Sequence, residues 1–401
     1  MVYKVFIDGQ AGTTGLRLAE RLSERPDIEL IGIEEARRKD VGARLSCIAA
    51  ADVTFLCLPD DGAREIIAAV DAAIDAAANA TGNDEADAAA NAMADGEACV
   101  AEKGKMPNAA EKSTTCVMGN GTACAEDEGR MGARLAKARI IDCSTAHRTA
   151  PGWIYGMPEL YRGNGYAVAE DGLAGAECGY ALVWEEYTRA GKGLRVSNPG
   201  CHATGFILSV RPLVEAGIVD PGAMLAVHSL TGYSGGGKPM IAEYADKDLR
   251  APRRYALGQG HKHIPEMQQY AGLETAPLFS PIVCDFYSGM LVGVPLPRGA
   301  LRRDASAGDI RNTLAEYYRG SPVVKVRALG EEFSEAAGGG FLSADAFAGR
   351  DDLEIFVTGE DGRIEIISRY DNLGKGASGA AVQNMNLMLG LPEDTGLITG
   401  E

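Results

Sequence analysis

The stretch Val2-Tyr-Lys-Val-Phe-Ile-Asp-Gly-Gln-Ala-Gly-Thr-Thr-Gly15 decides the fold, because it joins an apolar, strand-like run to a glycine-rich loop. Apolar residues then recur at helical spacing up to Leu22, and residues 28–33 are again apolar. Strand, glycine loop, helix and strand in this order form the unit in which a glycine motif binds a dinucleotide, with the pyrophosphate on the helix N-terminus. The spacing is G-x-x-G-x-x-G, and a plain structural turn is the alternative. We predict a Rossmann-type α/β domain whose loop binds the cofactor through Gly9, Gly12, Thr13, Thr14 and Gly15.

The residues after the second strand indicate which dinucleotide to expect. Glu34 suits a free ribose hydroxyl, whereas arginines accommodate a 2′-phosphate. Three adjacent basic residues, Arg37, Arg38 and Lys39, are unusual in so acidic a chain and favour NADP. A solvated helix face is the alternative. We therefore predict that Arg37 and Arg38 contact the cofactor.

Two further apolar runs, residues 52–58 and 139–143, predict additional buried strands. In an open parallel sheet, ligands lie at the carboxyl ends of the strands. The loops that begin at Pro59 and Ser144 are therefore expected to border the cofactor or the substrate. Residues 151–163 are turn-rich and aromatic, and we interpret them as a linker that lines a cleft.

Composition excludes several classes of function. The chain has 401 residues and a formal net charge of −17, which disfavours nucleic acid as a general partner because phosphate backbones need basic stripes. No apolar run approaches the roughly 18 residues that span a bilayer, so no membrane association is expected. Nine cysteines at irregular spacing give no paired framework and no CxxC pair. We interpret them as reduced thiols and predict a cytoplasmic protein.

Residues 71–132 are rich in Ala, Asn, Asp and Gly and carry few branched or aromatic side chains. Such a composition buries too little apolar surface to offset its chain entropy. We predict an acidic insertion whose Ala-rich start is helical and whose remainder is weakly ordered. Its Cys99, Cys116 and Cys124 have spacings that match no usual zinc pattern, so no metal is expected. Residues 163–192 are interpreted as a second insertion.

The segment Ser197-Asn-Pro-Gly-Cys201 leads directly into an apolar, helix-patterned run. Pro199 and Gly200 predict a turn, so Cys201 should lie in the first turn of a helix. Unpaired N–H groups there carry partial positive charge, which lowers the pKa of a thiol and binds a carbonyl oxygen. We interpret Cys201 as a nucleophile. A small, buried, inert cysteine is the alternative.

Two downstream clusters carry candidate partners for this thiol. Gly232-Tyr-Ser-Gly-Gly-Gly-Lys238 looks like a phosphate cradle, but proline follows the lysine where G-x-x-x-x-G-K-[ST] needs Ser or Thr, so a substrate-binding loop is predicted. His261 and His263 precede Glu266. A histidine held by Glu266 would act as a general acid/base beside a thiol, with a metal pair or a surface cluster as the alternatives.

The later part of the chain predicts a second domain. Apolar runs at about 289–296 and 353–368 are typical of a mixed sheet in an α+β domain. The small-residue segment that begins at Asp371 opens a helix to about Leu389, which we expect to pack back onto the nucleotide domain. The predicted division is therefore 1–150 with 375–401, and 151–374.

Taken together, these motifs resemble those of the N-acetyl-gamma-glutamyl-phosphate reductase family in its shorter, type 2 form, within the wider semialdehyde dehydrogenase group. The matching motifs span nearly the whole chain in order, and no motif falls inside the two insertions. They are Phe6-Ile-Asp-Gly-Gln-Ala-Gly-Thr-Thr-Gly15, Cys57-Leu-Pro-Asp60, Asp142-Cys-Ser-Thr-Ala-His-Arg148, Ser197-Asn-Pro-Gly-Cys201, Gly232-Tyr-Ser-Gly-Gly-Gly-Lys238, His261-Lys-His-Ile-Pro-Glu266 and Asn372-Leu-Gly-Lys-Gly-Ala-Ser-Gly379.

The resemblance implies NADPH-dependent reduction of an acyl phosphate to an aldehyde in arginine biosynthesis, by a homo-oligomer whose second domain makes the subunit contact. It implies that Cys201 attacks the acyl phosphate to give a thioester. His263 is the first choice for the acid/base and His261 the second, with His202 packing beside the nucleophile. The resemblance also implies contacts with two small molecules. The substrate is expected to contact Ser144, Arg148, Asn198, Gly235 and Lys238, and the cofactor is expected to contact Pro59 and Asn384.

Other classes of protein remain open at this stage. Aspartate-semialdehyde dehydrogenase would use the same thioester chemistry on a shorter substrate. A thiol hydrolase would use Cys201 and His263 without a cofactor, but it would need no glycine loop between two strands. A catalytically silent nucleotide-binding regulator would keep the glycines and not need Cys201. Arg148 has a structural alternative as an ion pair between domains.

Overall fold

The structure is a computed structural model that describes residues 1–94, 125–161 and 193–400. These residues form two sheets with helices packed against them. The predicted weak order after Ala94, Cys99, Cys116 and Cys124, and the second predicted insertion lie outside the described residues. Within them, no helix is long and apolar enough to cross a membrane.

The first sheet is entirely parallel and has the order β2-β1-β3-β4-β6-β5 in the described chain. Its strands are β1 (Tyr3–Asp8), β2 (Ile28–Ile31), β3 (Val53–Leu56), β4 (Ile140–Asp142), β5 (Ile154–Tyr155) and β6 (Arg195–Ser197). The helices of this half are α1 (Thr13–Ser23), α2 (Val41–Ala50), α3 (Asp60–Ala94) and α4 (Ala125–Leu135). The strand, glycine loop, helix and strand predicted at the N-terminus are confirmed, as is the helical start of the acidic segment.

The second sheet is mixed and has the order β11-β12-β13-β10-β7-β9-β8. Its strands are β7 (Ala226–Gly232), β8 (Arg253–Arg254), β9 (Leu278–Cys284), β10 (Met290–Pro297), β11 (Val324–Val326), β12 (Leu353–Glu360) and β13 (Arg363–Tyr370). The helices of this half are α5 (Cys201–Glu215), α6 (Gly237–Asp246), α7 (Ile264–Ala271) and α8 (Ala307–Tyr317). Short 3₁₀ segments are Glu35–Arg37, Pro158–Tyr161, Tyr233–Gly236, Arg298–Ala300 and Glu331–Phe333.

The division between the two sheets differs from the predicted boundary at residue 150. Strands β5 and β6 both belong to the first sheet, and β6 pairs with β4 through Ile140↔Arg195. Residues 154–155 are therefore a buried edge strand and not a linker. The second sheet and its helices begin only at Cys201, because β6 extends the row of parallel strands before the chain leaves it.

The chain returns to the first sheet at its C-terminus, as predicted. A π-helix, Gly374–Ser378, leads into α9 (Gly379–Met388). The apolar side chains of α9, including Val382 and Met385, join the core made by β1, β3, β4 and β6. Each such side chain contributes about 1.5–3 kcal/mol when fully buried. The two halves are therefore joined by two chain crossings.

A buried ion pair holds the C-terminal segment, residues 374–388, against the rest of the protein. The ammonium of Lys375 lies 2.6 Å from Glu159 Oε1 and also donates to Gln383 Oε1 at 2.6 Å. Lys375 is 2% exposed and Glu159 is 0% exposed. Removing one member of such a pair leaves the other charge buried without its counter-charge.

We expect Lys375→Met to lower the free energy of unfolding by about 3–5 kcal/mol, because it removes the ammonium that pairs with the buried Glu159 carboxylate. Urea denaturation followed by circular dichroism measures this. The matched control is Lys247→Met, an exposed lysine paired with the half-buried Glu243, and it should change stability by less than about 0.5 kcal/mol. Equal stability of the two variants would contradict the prediction.

Candidate active site

A cavity of about 480 Å³ lies where the two halves of the chain meet. It is lined by the glycine loop, the ends of β3 and β4, the first turn of α5, the loop after β7, the histidine segment and residues 372–377. The sequence-predicted residues that line it are Gly12, Thr13, Thr14, Arg148, Asn198, Cys201, Gly235, His261 and His263. The charged residues in this described lining are Arg148 and Lys262, with no carboxylate among them, so the cavity suits an anion.

The glycine loop has the geometry of a phosphate cradle. Gly9 has φ +87°, and a Cβ there would overlap the carbonyl oxygen of Cys57, so the loop passes close against the end of β3. No side chain caps α1, which leaves the N–H groups of its first turn available to an anion. Thr13 and Thr14 begin this helix and line the cavity. The loop therefore fits the pyrophosphate of a dinucleotide.

Cys201 is the first residue of α5, as the sequence predicted. Gly200 precedes it in an extended conformation without any side-chain cap, so first-turn N–H groups lie beside the thiol. The predicted low pKa is nevertheless wrong. Burial raises the pKa of Cys201 to about 11, against the opposing effects of the Arg148 charge and the His202 N–H. Desolvation of the thiolate outweighs the helix terminus here.

Glu266 acts on the backbone before the nucleophile and on Arg148. Its Oε2 accepts hydrogen bonds from the Gly200 N–H at 3.1 Å and from the Tyr155 hydroxyl at 2.7 Å. Its Oε1 accepts from Arg148 at 2.7 Å, whereas His263 Nε2 lies 3.9 Å away. The predicted pairing of Glu266 with the histidine is therefore secondary to these contacts. Arg148 also forms the ion pair between halves that the sequence left as an alternative.

Three histidines line the cavity together with the thiol, and all are neutral at pH 7. Burial lowers the pKa of His202 to about 3 and that of His261 to about 4, and it holds the pKa of His263 well below its usual value. Ligand atoms of Cys201, His202 and His263 lie within 4.8 Å of one another. His202 uses both ring nitrogens, on Ser229 Oγ at 2.6 Å and the Tyr255 hydroxyl at 2.8 Å.

His263 differs from its neighbours in its hydrogen bonding. It is 5% exposed, and its Nδ1 has no hydrogen-bond partner among the described residues. His261 Nδ1 accepts from the backbone N–H of His263 at 3.2 Å, which fixes the orientation of His261. His261 is not in the group within 4.8 Å of the thiol. The ring that is both close to Cys201 and uncommitted is that of His263.

The structure places several predicted residues away from the cavity. Lys238 is exposed in the first turn of α6 and does not line it. Pro59 is exposed at the end of β3. Ser144 is buried, with its hydroxyl donating to Asp142 Oδ2 at 2.8 Å. Asn384 is fully buried and donates to the Gly156 carbonyl at 2.8 Å, so it is committed to the interior.

The basic pair after β2 lies at the surface. Arg37 pairs with Asp40 at 3.1 Å and Arg38 with Glu35 at 2.7 Å, and both side chains are more than half exposed. They follow the C-terminal end of β2, beside β1 and the glycine loop. Gly9 and Gly15 shape that loop without lining the cavity themselves.

Two polar residues of the cavity lining, Lys262 and Asn372, were not among the predicted site residues. Lys262 lies between the two histidines and lines the cavity, where its charge lowers the pKa of Cys201. Asn372 lines it too, with Nδ2 donating to Ser234 Oγ at 3.0 Å and Oδ1 accepting from Gly289 N–H at 2.8 Å. Lys262 could have been found from its place in the His-x-His segment. Asn372 gave no local signal beyond the resemblance.

Comparison with known proteins defines the class. A family model described as the semialdehyde dehydrogenase dimerisation domain matches residues 201–372. Aspartate semialdehyde dehydrogenase II from Vibrio cholerae superposes with a TM-score of 0.57 at 15% identity, covering 97% of this chain and 99% of that one. The enzyme with NADP from Candida albicans gives 0.51 at 13% identity, covering 97% and 99%. The fold is therefore that of the semialdehyde dehydrogenases, a Rossmann-type domain with an α+β domain.

Sequence relatives narrow this class. N-acetyl-gamma-glutamyl-phosphate reductase 2 from Nostoc sp. is 37% identical over 98% of this chain and 99% of its own length. N-acetyl-gamma-glutamyl-phosphate reductase from Brucella anthropi is 36% identical over 96% and 98%. The chain belongs to the N-acetyl-gamma-glutamyl-phosphate reductase family, and the predicted resemblance is confirmed.

The raised pKa of Cys201 has a measurable consequence in the free protein. Alkylation of Cys201 by iodoacetamide should accelerate about tenfold per pH unit between about pH 7.5 and 9.5, because only the thiolate reacts. Mass spectrometry of the Cys201 peptide at timed intervals gives the rates. In urea-unfolded protein the same profile should level off near the ordinary thiol pKa of about 8.5. A plateau below about pH 9 in the folded protein would contradict the burial argument.

Proposed function

We propose that this protein reduces N-acetyl-gamma-glutamyl phosphate to N-acetyl-L-glutamate 5-semialdehyde and phosphate, with NADPH as the electron donor, in arginine biosynthesis. The observation that carries the proposal is the placing of Cys201 at a helix N-terminus, beside His263, in the same cavity as the glycine loop. The names of the relatives supply the substrate. Bound NADPH would supply the hydride.

The first step needs a base, because the resting thiol keeps its proton. His263 is neutral and close to Cys201, so it takes the thiol proton as Sγ attacks the acyl carbonyl. First-turn N–H groups of α5 stabilise the tetrahedral oxyanion. The carbon–oxygen bond to phosphate then breaks, and a thioester remains on Cys201. Arg148 and Lys262 offset the negative charge of the departing phosphate.

The second step releases the aldehyde. Bound NADPH would supply hydride to the thioester carbon, and the same N–H groups would stabilise the second oxyanion. Its collapse breaks the carbon–sulfur bond, and protonated His263 returns its proton to Sγ. His263 therefore serves both half-reactions, which supports choosing it over His261. Asn198 and Gly235 line the cavity where the substrate would lie, and Asn384 positions Asn198 from behind at 3.4 Å.

The division of the chain follows from the sheets. We propose that residues 1–200 with 374–401 form the nucleotide domain and that residues 201–373 form the catalytic and oligomerisation domain. The family model for a dimerisation domain covers nearly the same second range. We further propose a homo-oligomer and a cytoplasmic location, since the described cysteines Cys47, Cys57, Cys143, Cys201 and Cys284 are free thiols.

Two rivals are less well supported. Likeness to the aspartate semialdehyde dehydrogenases is limited to fold at 13–15% identity, whereas the reductase relatives reach 37%. A thiol hydrolase without cofactor leaves the glycine loop in the wall of the cavity unexplained. A silent regulator would not need a nucleophile and a base in the same cavity.

The reverse reaction tests the activity. Purified protein given N-acetylglutamate semialdehyde, inorganic phosphate and NADP⁺ should produce NADPH, followed by absorbance. Cys201→Ser should reduce kcat by about 10⁴-fold, because no thioester forms. Cys47→Ser on α2, outside the cavity, is the matched control and should retain activity. No NADPH from the parent protein, or an equal rate from Cys201→Ser, would reject the proposal.

The choice of NADP over NAD is tested at the basic pair. The double variant Arg37→Ala, Arg38→Ala should raise KM for NADP⁺ about 10- to 100-fold and leave KM for NAD⁺ nearly unchanged. The reason is that it loses charge-assisted hydrogen bonds to the 2′-phosphate, which NAD⁺ lacks. Steady-state kinetics with both cofactors measure the effect. Arg363→Ala, an exposed arginine paired with Glu360, is the control for surface charge. A parallel rise for both cofactors would place the pair outside the 2′-phosphate site.

A further inference from the structure

Two cysteines that the proposed chemistry does not use lie together in the wall of the cavity. Cys57 follows β3 and Cys143 follows β4, and both line the cavity. The two strands are neighbours, with Leu56 in register with Asp142, so the cysteines occupy equivalent positions just past the paired residues. Residues in register on neighbouring parallel strands project to the same face of the sheet, so the two thiols are neighbours.

The frame around this pair is fixed on both sides. Toward the sheet, the N–H of Cys143 donates to the Leu56 carbonyl at 2.9 Å. Beyond the pair, Asp60 Oδ1 accepts from the Thr145 N–H at 2.9 Å and its other oxygen accepts from the Thr145 hydroxyl. The two loops are thus tied before and after the cysteines. A disulfide spans Cα atoms about 4.4–6.8 Å apart, a separation typical of adjacent strands.

The two thiols are chemically unequal. The neighbouring Cys57 thiol and burial raise the pKa of Cys143 well above its usual value. The Cys143 thiol therefore keeps its proton. A protonated thiol is a poor nucleophile, so we assign the first reaction to Cys57 and the second to Cys143.

We propose that Cys57 and Cys143 form a redox-active pair of thiols, separate from the nucleophile Cys201. A peroxide converts this pair into an intramolecular disulfide. The Cys57 thiolate attacks the peroxide oxygen, giving a sulfenic acid and hydroxide as the oxygen–oxygen bond breaks. The Cys143 sulfur then attacks the sulfenic sulfur, and its proton leaves with the hydroxyl group as water. Two thiols and one hydrogen peroxide become one disulfide and two waters.

Peptide mapping tests the proposal in the full-length protein. The reduced protein is treated with hydrogen peroxide, free thiols are blocked, and cross-linked peptides are identified by mass spectrometry. We expect a Cys57–Cys143 cross-link to form at least about tenfold faster than any other disulfide, because the two thiols occupy neighbouring positions on adjacent strands. The Cys201→Ser variant should give the same cross-link at the same rate, since the nucleophile takes no part.

One variant captures the sulfenic acid intermediate, and a second variant is the control. In Cys143→Ser the cross-link is lost and Cys57 should accumulate as a sulfenic acid that dimedone captures, whereas Cys284→Ser should behave like the parent. Circular dichroism confirms that each variant is folded. The proposal is overturned if Cys57 or Cys143 cross-links to Cys201 instead. It is also overturned if Cys201 is oxidised while Cys57 and Cys143 remain free.

Discussion

The site depends on one buried carboxylate of the second half, which receives three hydrogen bonds from residues of the first half. Glu266 binds Arg148 and Tyr155 of the nucleotide half and the Gly200 N–H, which lies directly before the nucleophile. A Cβ on Gly200 would lie 2.6 Å from His263 Nε2, so the backbone, carboxylate and imidazole are packed without spare room. Breaking such a buried pair costs about 3–5 kcal/mol, which gives the orientation of Cys201 a strong energetic basis.

Burial gives the site its electrostatic character. The same desolvation that keeps the thiol protonated also keeps the histidines neutral, so the resting pair carries no charge. In the proposed mechanism, charge appears only when a proton passes from sulfur to imidazole during attack on the substrate. The fixed positive groups, Arg148 and Lys262, then face an anion in a cavity whose described lining has no carboxylate. In the proposed reaction, the phosphate of the substrate carries the negative charge that complements these two groups.

Parallel strand ends explain why such different residues converge. The carboxyl ends of β1, β3 and β4 lie side by side, so the glycine loop, Cys57 and Cys143 reach one edge of the sheet. The same edge borders the cofactor site expected of this class. The sheet topology therefore places the Cys57–Cys143 pair beside that site. The proposed disulfide formation is a reaction of this pair, separate from the thioester chemistry of Cys201.

Local sequence determined the strand–glycine loop–helix unit, the start of α5 at Cys201 and the return of the last helix, because these depend on apolar periodicity and on turn residues a few positions apart. It also identified His263 as a candidate. Only the tertiary structure decided the pKa of Cys201, which depends on burial by distant segments, and the partners of Glu266, which lie 66 to 118 residues away. It likewise placed Lys238 outside the cavity lining and Lys262 within it, since the direction a side chain faces is set by packing and not by its neighbours in sequence.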